Sequence, residues 1–161
     1  MAYLISPKDL TENTILSGNT DEDKYLIHVT YVQEKIIKEM LGDLLYNKIE
    51  QDYINDVLSG LYFTLYDEYV KKILIYYTIA EYVDVASLSL DNGGIFKYSV
   101  ENKESVDSRE IQTLKSKYES LAQIYIDRFE KWIELNPLTE FTNNQDGVTP
   151  TDINIEFGWK L

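Results

Sequence analysis

Cysteine is absent from this 161-residue chain, and histidine occurs once, at His28. Without thiols there is no disulfide framework, no cysteine nucleophile and no cysteine-based zinc site. With a single imidazole, one copy cannot build a Ser-His-Asp triad or a two-histidine metal site. The paired Glu-x-x-His motifs of ferritin-like bundles are missing too. No GxxxxGK[ST], GxGxxG or GxSxG sequence occurs. Arginine is scarce, at Arg109 and Arg128 only, and 15 basic residues face 28 acidic ones for a net charge of −13. Such a chain does not hold nucleic acid by neutralising phosphates, which takes clustered lysine and arginine. The N-terminus shows no basic segment followed by a long apolar run, so no secretory signal is expected. The expectation is a non-enzyme with no catalytic residue, no cofactor and no metal.

What is present is enough apolar chain, 44% of residues, for one domain with a real core. The stretch Leu61 to Leu90 holds neither proline nor glycine. On a helical wheel Tyr62, Tyr66, Tyr69, Ile73, Tyr76, Tyr77, Ala80 and Val83 share a face that Phe63, Val70 and Leu74 widen. Thr64, Asp67, Lys71 and Thr78 form a narrow polar stripe opposite. An arc broader than the usual apolar stripe of about 100° predicts a helix touched on more than one side. Asp67, Glu68, Lys71, Lys72, Glu81 and Asp84 punctuate it too often for a membrane span.

Three further long helices are expected around it. Thr20 is a candidate N-cap for a helix over 21–41, with Tyr25, Val29, Val32, Ile36 and Met40 at three- and four-residue steps and Gly42 at its end. Asp43 starts a second helix over 43–58, closed by Ser59-Gly60. Ser108 is read as the cap of a last helix over 109–135, where Ile111, Leu114, Tyr118, Leu121 and Tyr125 keep the spacing of shallow-angle packing. Asn136-Pro137 ends it. The fold class is therefore all-α, a four-helix bundle-like domain around a long central helix. Residues 1–135 form the helical body. Within it, 1–20 are an arm, with a short strand possible at Tyr3–Ile5 and a helical turn capped by Ser6-Pro7. Residues 91–107 are a loop or hairpin, in which Ile95–Val100 is a candidate strand. Residues 136–161 form an extended C-terminal arm.

The arm ends in the chain's one strict period-two pattern. Ile153, Ile155, Phe157, Trp159 and Leu161 alternate with polar or small residues. That is a strand signal, and a strand with no sheet of its own invites addition to a partner; docking on its own domain, pairing with Ile95–Val100, or a loose tail whose alternation is accidental are the other outcomes. The 14 tyrosines suit sites that are half core and half contact. Tyr62, Tyr69 and Tyr82, at the edges of the broad apolar arc, are the candidate partner-binding residues there. Asp84 falls on the apolar side of the central helix and needs a lysine or tyrosine hydroxyl to satisfy it; a lone general acid or base is the rarer reading.

Leu41-Gly42-Asp43-Leu44-Leu45-Tyr46 with Ile49 resembles the LG-x-x-LY turn of tailed-phage head–tail connector (adaptor) proteins, nearest to those of crAss-like phages. Ser59-Gly60 before a tyrosine-rich helix, Asn92-Gly93-Gly94 after it, and ENKESVDSREI before the last helix extend the likeness over about residues 3–135. The resemblance implies a homo-oligomeric ring of roughly twelve copies that binds the portal protein and the next tail component. DNA would pass through it without specific binding. It also implies a virion location at the head–tail junction, after assembly in the host cytoplasm. No membrane and no small-molecule substrate are implied. Two other classes compete: a monomeric acidic regulatory module such as a DNA mimic or inhibitor, and a small enzyme using paired carboxylates.

Overall fold

Helix after helix follows the expected order in the computed structural model, which describes residues 2–86, 88–91, 94–97 and 107–144. The helices are α1 (Pro7–Asn13), α2 (Glu22–Val32), α3 (Lys38–Ile54), α4 (Gly60–Leu65), α5 (Lys71–Val85), α6 (Ser108–Leu135) and α7 (Thr139–Asn144). A two-stranded antiparallel hairpin, β1 (Leu88–Asp91) and β2 (Gly94–Lys97), follows α5. The fold is an all-α, bundle-like domain with that small hairpin appended. Two wide π turns, Gln33–Ile37 and Tyr66–Val70, join α2 to α3 and α4 to α5. Each shows the diagnostic five-residue step, from Lys38 N–H to Gln33 C=O and from Lys71 N–H to Tyr66 C=O.

The central helix spans α4, the second π turn and α5. Its middle is buried nearly all round: Val70, Ile73, Leu74, Ile75, Tyr77, Thr78, Ile79 and Ala80 are all in the core. Thr78, expected on a polar stripe, is fully buried, and its hydroxyl has no hydrogen-bond partner among the described residues. The helix is also shorter than its composition suggests. It stops at Val85, and Leu88–Asp91 becomes β1, in register Leu88↔Lys97 to Asp91↔Gly94. The reason lies in Ser87-Leu88-Ser89-Leu90, whose strict alternation suits a strand, followed by Asn92-Gly93, a pair that favours tight hairpins. Of the candidate strand Ile95–Val100, residues 95–97 lie in β2, and 98–100 fall outside the described residues.

α5 and α6 are antiparallel neighbours. Tyr69 lies against Trp132 and Phe129, at ring separations of 5.5 and 6.4 Å, and Tyr76 lies between Tyr125 and Tyr118, at 5.8 and 6.3 Å. Later residues of one helix thus meet earlier residues of the other. The seven-residue steps Tyr69–Tyr76 and Tyr118–Tyr125–Trp132 are those of a shallow crossing. α6 begins at a true capping box one residue before the expected cap: Asp107 caps the helix, and Glu110 reaches back to the Asp107 N–H at 3.0 Å. The packed body continues past Leu135, with Leu138 and Phe141 buried.

Gly42 breaks the α3 run at φ 74°, ψ 160°, so the Leu41-Gly42-Asp43 turn is a hinge between two helical pieces rather than a smooth continuation. α3 ends earlier than expected, at Ile54, in a Schellman-type close. Val57 N–H reaches Asp52 C=O at 2.9 Å, and Asp56 N–H reaches Tyr53 C=O at 3.2 Å. Asp56 occupies the left-handed position at φ 54°, where glycine is favoured. Asp56→Gly should therefore raise stability by about 0.5–1 kcal/mol, measured as a shift in urea midpoint at unchanged slope.

Candidate interaction surface

The N-terminal arm does not form a strand. Residues Leu4, Ile5 and Leu10 are buried instead, and side chains meet the arm's main chain. Gln33, fully buried at the start of the first π turn, accepts from Leu4 N–H at 2.8 Å and donates to Ala2 C=O at 3.0 Å. Its amide nitrogen also donates to the Tyr46 hydroxyl at 3.2 Å. Tyr66, at the start of the second π turn, donates its hydroxyl to Leu4 C=O at 2.7 Å. A π turn admits one extra residue and re-aims the side chain beside it. Both turns do so toward the same short Ala2–Leu4 segment. Burial, then the neighbouring Tyr53, pushes the Tyr66 phenol far up, so it stays a donor. Below the arm, Ser6 and Asp9 form a capping box, and Lys71 reaches Asp9 at 2.8 Å. Burial alone would raise the Asp9 carboxyl, but bonds from Lys71 and Ser6 hold it below its ordinary value.

The three edge tyrosines are engaged within the chain. Tyr62 donates to Glu140 at 2.8 Å and lies under the Lys48 ammonium. Tyr69 packs on Phe129 and Trp132. Tyr82 packs edge-on against Tyr25 and His28, at 6.2 and 6.0 Å. All three are half-buried and lie on separate turns of the central helix, so they do not converge on one site. His28 is a boundary residue, its pKa lowered by burial. Asp84 is paired with Lys115 and accepts from Gln112 at 3.3 Å, the lysine solution expected for it. Ile153, Ile155, Phe157, Trp159 and Leu161 lie outside the described residues.

Two surfaces stand out that the sequence pattern did not single out. The first is the corner where α3 meets α4. Ile54, Val57, Leu61 and Phe63 are 58%, 56%, 44% and 50% exposed there. The second is an open cleft of about 340 Å³ over the middle of α5. Tyr31, Lys35 and Ile36 form its α2 bank, Tyr77 and Glu81 its floor, and Glu119, Ser120 and Gln123 its α6 bank. The Tyr77 phenol is pushed up to about 12, first by burial and then by the charges of Glu119, Asp127 and Glu81. Among the described residues no group of three or more His, Cys, Asp or Glu side chains is placed to hold a metal ion. Nor is any helix there long and apolar enough to cross a membrane.

The described chain is thus a helical-bundle protein whose distinctive features are an internal arm clamp, exposed apolar residues between α3 and α4, and an open cleft over α5. It belongs to a family of unknown function, DUF6712, whose profile matches residues 37–150. No curated protein and no solved structure matches it.

Proposed function

We propose that this chain is a structural assembly protein, one subunit of a head–tail adaptor ring between portal and tail, without enzymatic activity of its own. The observation that carries this reading is the corner of Ile54, Val57, Leu61 and Phe63. Four large apolar side chains stand exposed within one short stretch of a chain of net charge −13. Large apolar side chains left exposed together in one segment favour a surface that another molecule covers. The connector-like turn gives further support. Leu41, Leu45 and Tyr46 are core residues and Gly42 is the hinge between them. That gives the resemblance a structural role in the bundle. Head-to-tail contacts between copies close into rings when the rotation allows. An acidic subunit lets DNA pass without counterion-release binding. The virion is then its location, with the portal and the next tail component as its neighbours.

Mass photometry of the chain, alone and with a tailed-phage portal protein, tests the proposal. The expected result is a ring-sized species on the portal. Val57→Asp/Phe63→Asp should reduce its occupancy about tenfold or more, as expected when hot-spot contacts are lost. Phe157→Asp/Trp159→Asp should do the same if the terminal segment latches a neighbour. A chain that stays monomeric with its portal, and instead captures a basic protein in a salt-sensitive way, would identify the acidic regulatory module.

A further inference from the structure

We infer that residues 2–16 are an exchangeable arm: the seat they occupy on their own body also accepts the same segment from a second copy of this chain. What decides this is the side of the hinge on which each partner lies. The polar groups that hold Ala2, Leu4 and Asp9 come from Gln33, Glu50, Tyr66 and Lys71. All four follow residue 20 in the chain, on the two π turns, α3 and the start of α5. The seat is therefore complete without the arm, and the arm brings only what any copy carries. The N–H groups of Ala2 and Leu4 lie 3.2 and 2.8 Å from their acceptors, and the carbonyls of the same residues 3.0 and 2.7 Å from their donors. Leu4, Ile5 and Leu10 supply buried apolar surface, and Asp9 supplies the charge that meets Lys71 at 2.8 Å. Main-chain capture with side chains in pockets is how proteins bind extended segments of other chains. π turns give up regular helix bonding and concentrate at functional sites, and both of these carry a side chain that grips the arm.

The connection permits exchange. Leu16 is the last buried residue of the arm, and Ser17, Gly18 and Asn19 after it are exposed. The hydrogen bonds described for that turn are its own, from Thr20 N–H to Ser17 C=O at 3.0 Å and from Asn19 N–H to the Ser17 hydroxyl at 3.3 Å. A Cβ at Gly18 would meet nothing within 4 Å. Opening the turn thus gives up two local bonds, and residues 17–20 then span up to about 14 Å. Every arm contact broken in one copy is remade in the other. The balance is set by closure of the turn against the local concentration of neighbours. A dilute chain keeps its own arm, and copies held side by side trade arms. Exchange needs only two copies, so it does not rest on the adaptor reading.

The chain has no cysteine, so introduced thiols report where the arm sits. Ala2→Cys marks the arm and Glu50→Cys the seat, two residues whose groups bond at 3.2 Å. The two full-length single variants are mixed at about 0.5 mM, near the effective concentration inside an assembly, and treated with a short bismaleimide. A covalent heterodimer is expected at about five times or more the yield from Ala2→Cys mixed with Arg109→Cys, an exposed position at the start of α6. The double variant Ala2→Cys/Glu50→Cys, treated when dilute, should crosslink within one chain, which shows that both substitutions leave the seat intact. Deletion of Gly18 and Asn19 shortens the hinge and opposes closure within one chain. That variant should become a dimer by size-exclusion chromatography with light scattering, at unchanged helical content by circular dichroism. A heterodimer yield no higher than that of the Arg109→Cys mixture overturns the proposal. So does a shortened hinge that leaves a folded monomer. If the shortened chain does not fold, the mixing experiment on the unshortened chain decides alone. A ring on the portal without arm exchange would sink this inference and leave the adaptor reading standing; exchange without a ring would do the reverse.

Discussion

Gln33→Leu should cost about 2–4 kcal/mol of unfolding free energy, although leucine is apolar and close in size. The site is fully buried, and the wild-type amide serves three partners at once, at 2.8, 3.0 and 3.2 Å. Leucine would leave the Leu4 N–H without its acceptor in a buried environment. It would also remove the amide donor from Ala2 C=O and the Tyr46 hydroxyl. Each buried polar group left unpaired costs roughly 1–3 kcal/mol, more than the net worth of a hydrogen bond replaced on both sides. Tyr66→Phe removes the other half of the clamp, a single 2.7 Å bond to Leu4 C=O, for about 1–2 kcal/mol. Because both residues hold Leu4, the two losses should not add. Once Gln33 has let the arm go, Tyr66 has less left to lose. Urea denaturation of the four-member cycle measures this coupling. Hydrogen exchange at Leu4, Ile5 and Leu10 then separates arm release from global unfolding. A loss below about 0.5 kcal/mol for Gln33→Leu, within the range of an ordinary surface change, would show that the clamp is incidental.

The arm also explains why some features could be read from the residues and others could not. Long apolar periodicities located α6 closely and the central helix as far as Val85, because burial on one or more faces is written into their spacing. Ser6-Pro7 and the Ser17–Asn19 turn were legible for the same local reason, and Thr20 N–H does reach Ser17 C=O at 3.0 Å. The π turns were not legible. Gln33–Ile37 and Tyr66–Val70 contain no glycine or proline, and one inserted residue leaves no compositional mark. A glutamine beside Val32 on an apolar face was the one available sign that Gln33 serves something buried. The cap of α6 was available too, since Asp107 with Glu110 three residues later is the capping-box spacing, which Ser108 obscured. The cleft joins Tyr31, Tyr77 and Glu119 from three separate helices, so only the tertiary arrangement brings them together. The corner was hidden by the opposite error. Val57 and Leu58 read as continued helix, whereas the left-handed turn at Asp56 ends α3 and leaves Val57 exposed.

Phe129→Ala should be the most damaging single truncation described here, at about 3–5 kcal/mol. The ring is fully buried on α6, edge-on to Phe141 of α7 at 5.9 Å and to Tyr69 at 6.4 Å. Its removal opens a cavity where the second π turn, α6 and α7 meet, and the packed rings of Tyr69 and Phe141 limit collapse into it. Phe141→Ala should cost less, because α7 is short and can detach alone. The difference has a functional consequence. α7 is held by Phe141, by buried Leu138 and by the Tyr62–Glu140 bond at 2.8 Å, and the residues beyond it lead to the alternating segment Ile153–Leu161. If that segment latches a neighbour, Phe141→Ala should weaken assembly at nearly normal melting temperature, by loosening the root of the latch. Phe129→Ala should lower both together. Thermal unfolding with mass photometry on the same samples distinguishes the cases. Full assembly by a folded Phe141→Ala variant would show that α7 does not position the latch.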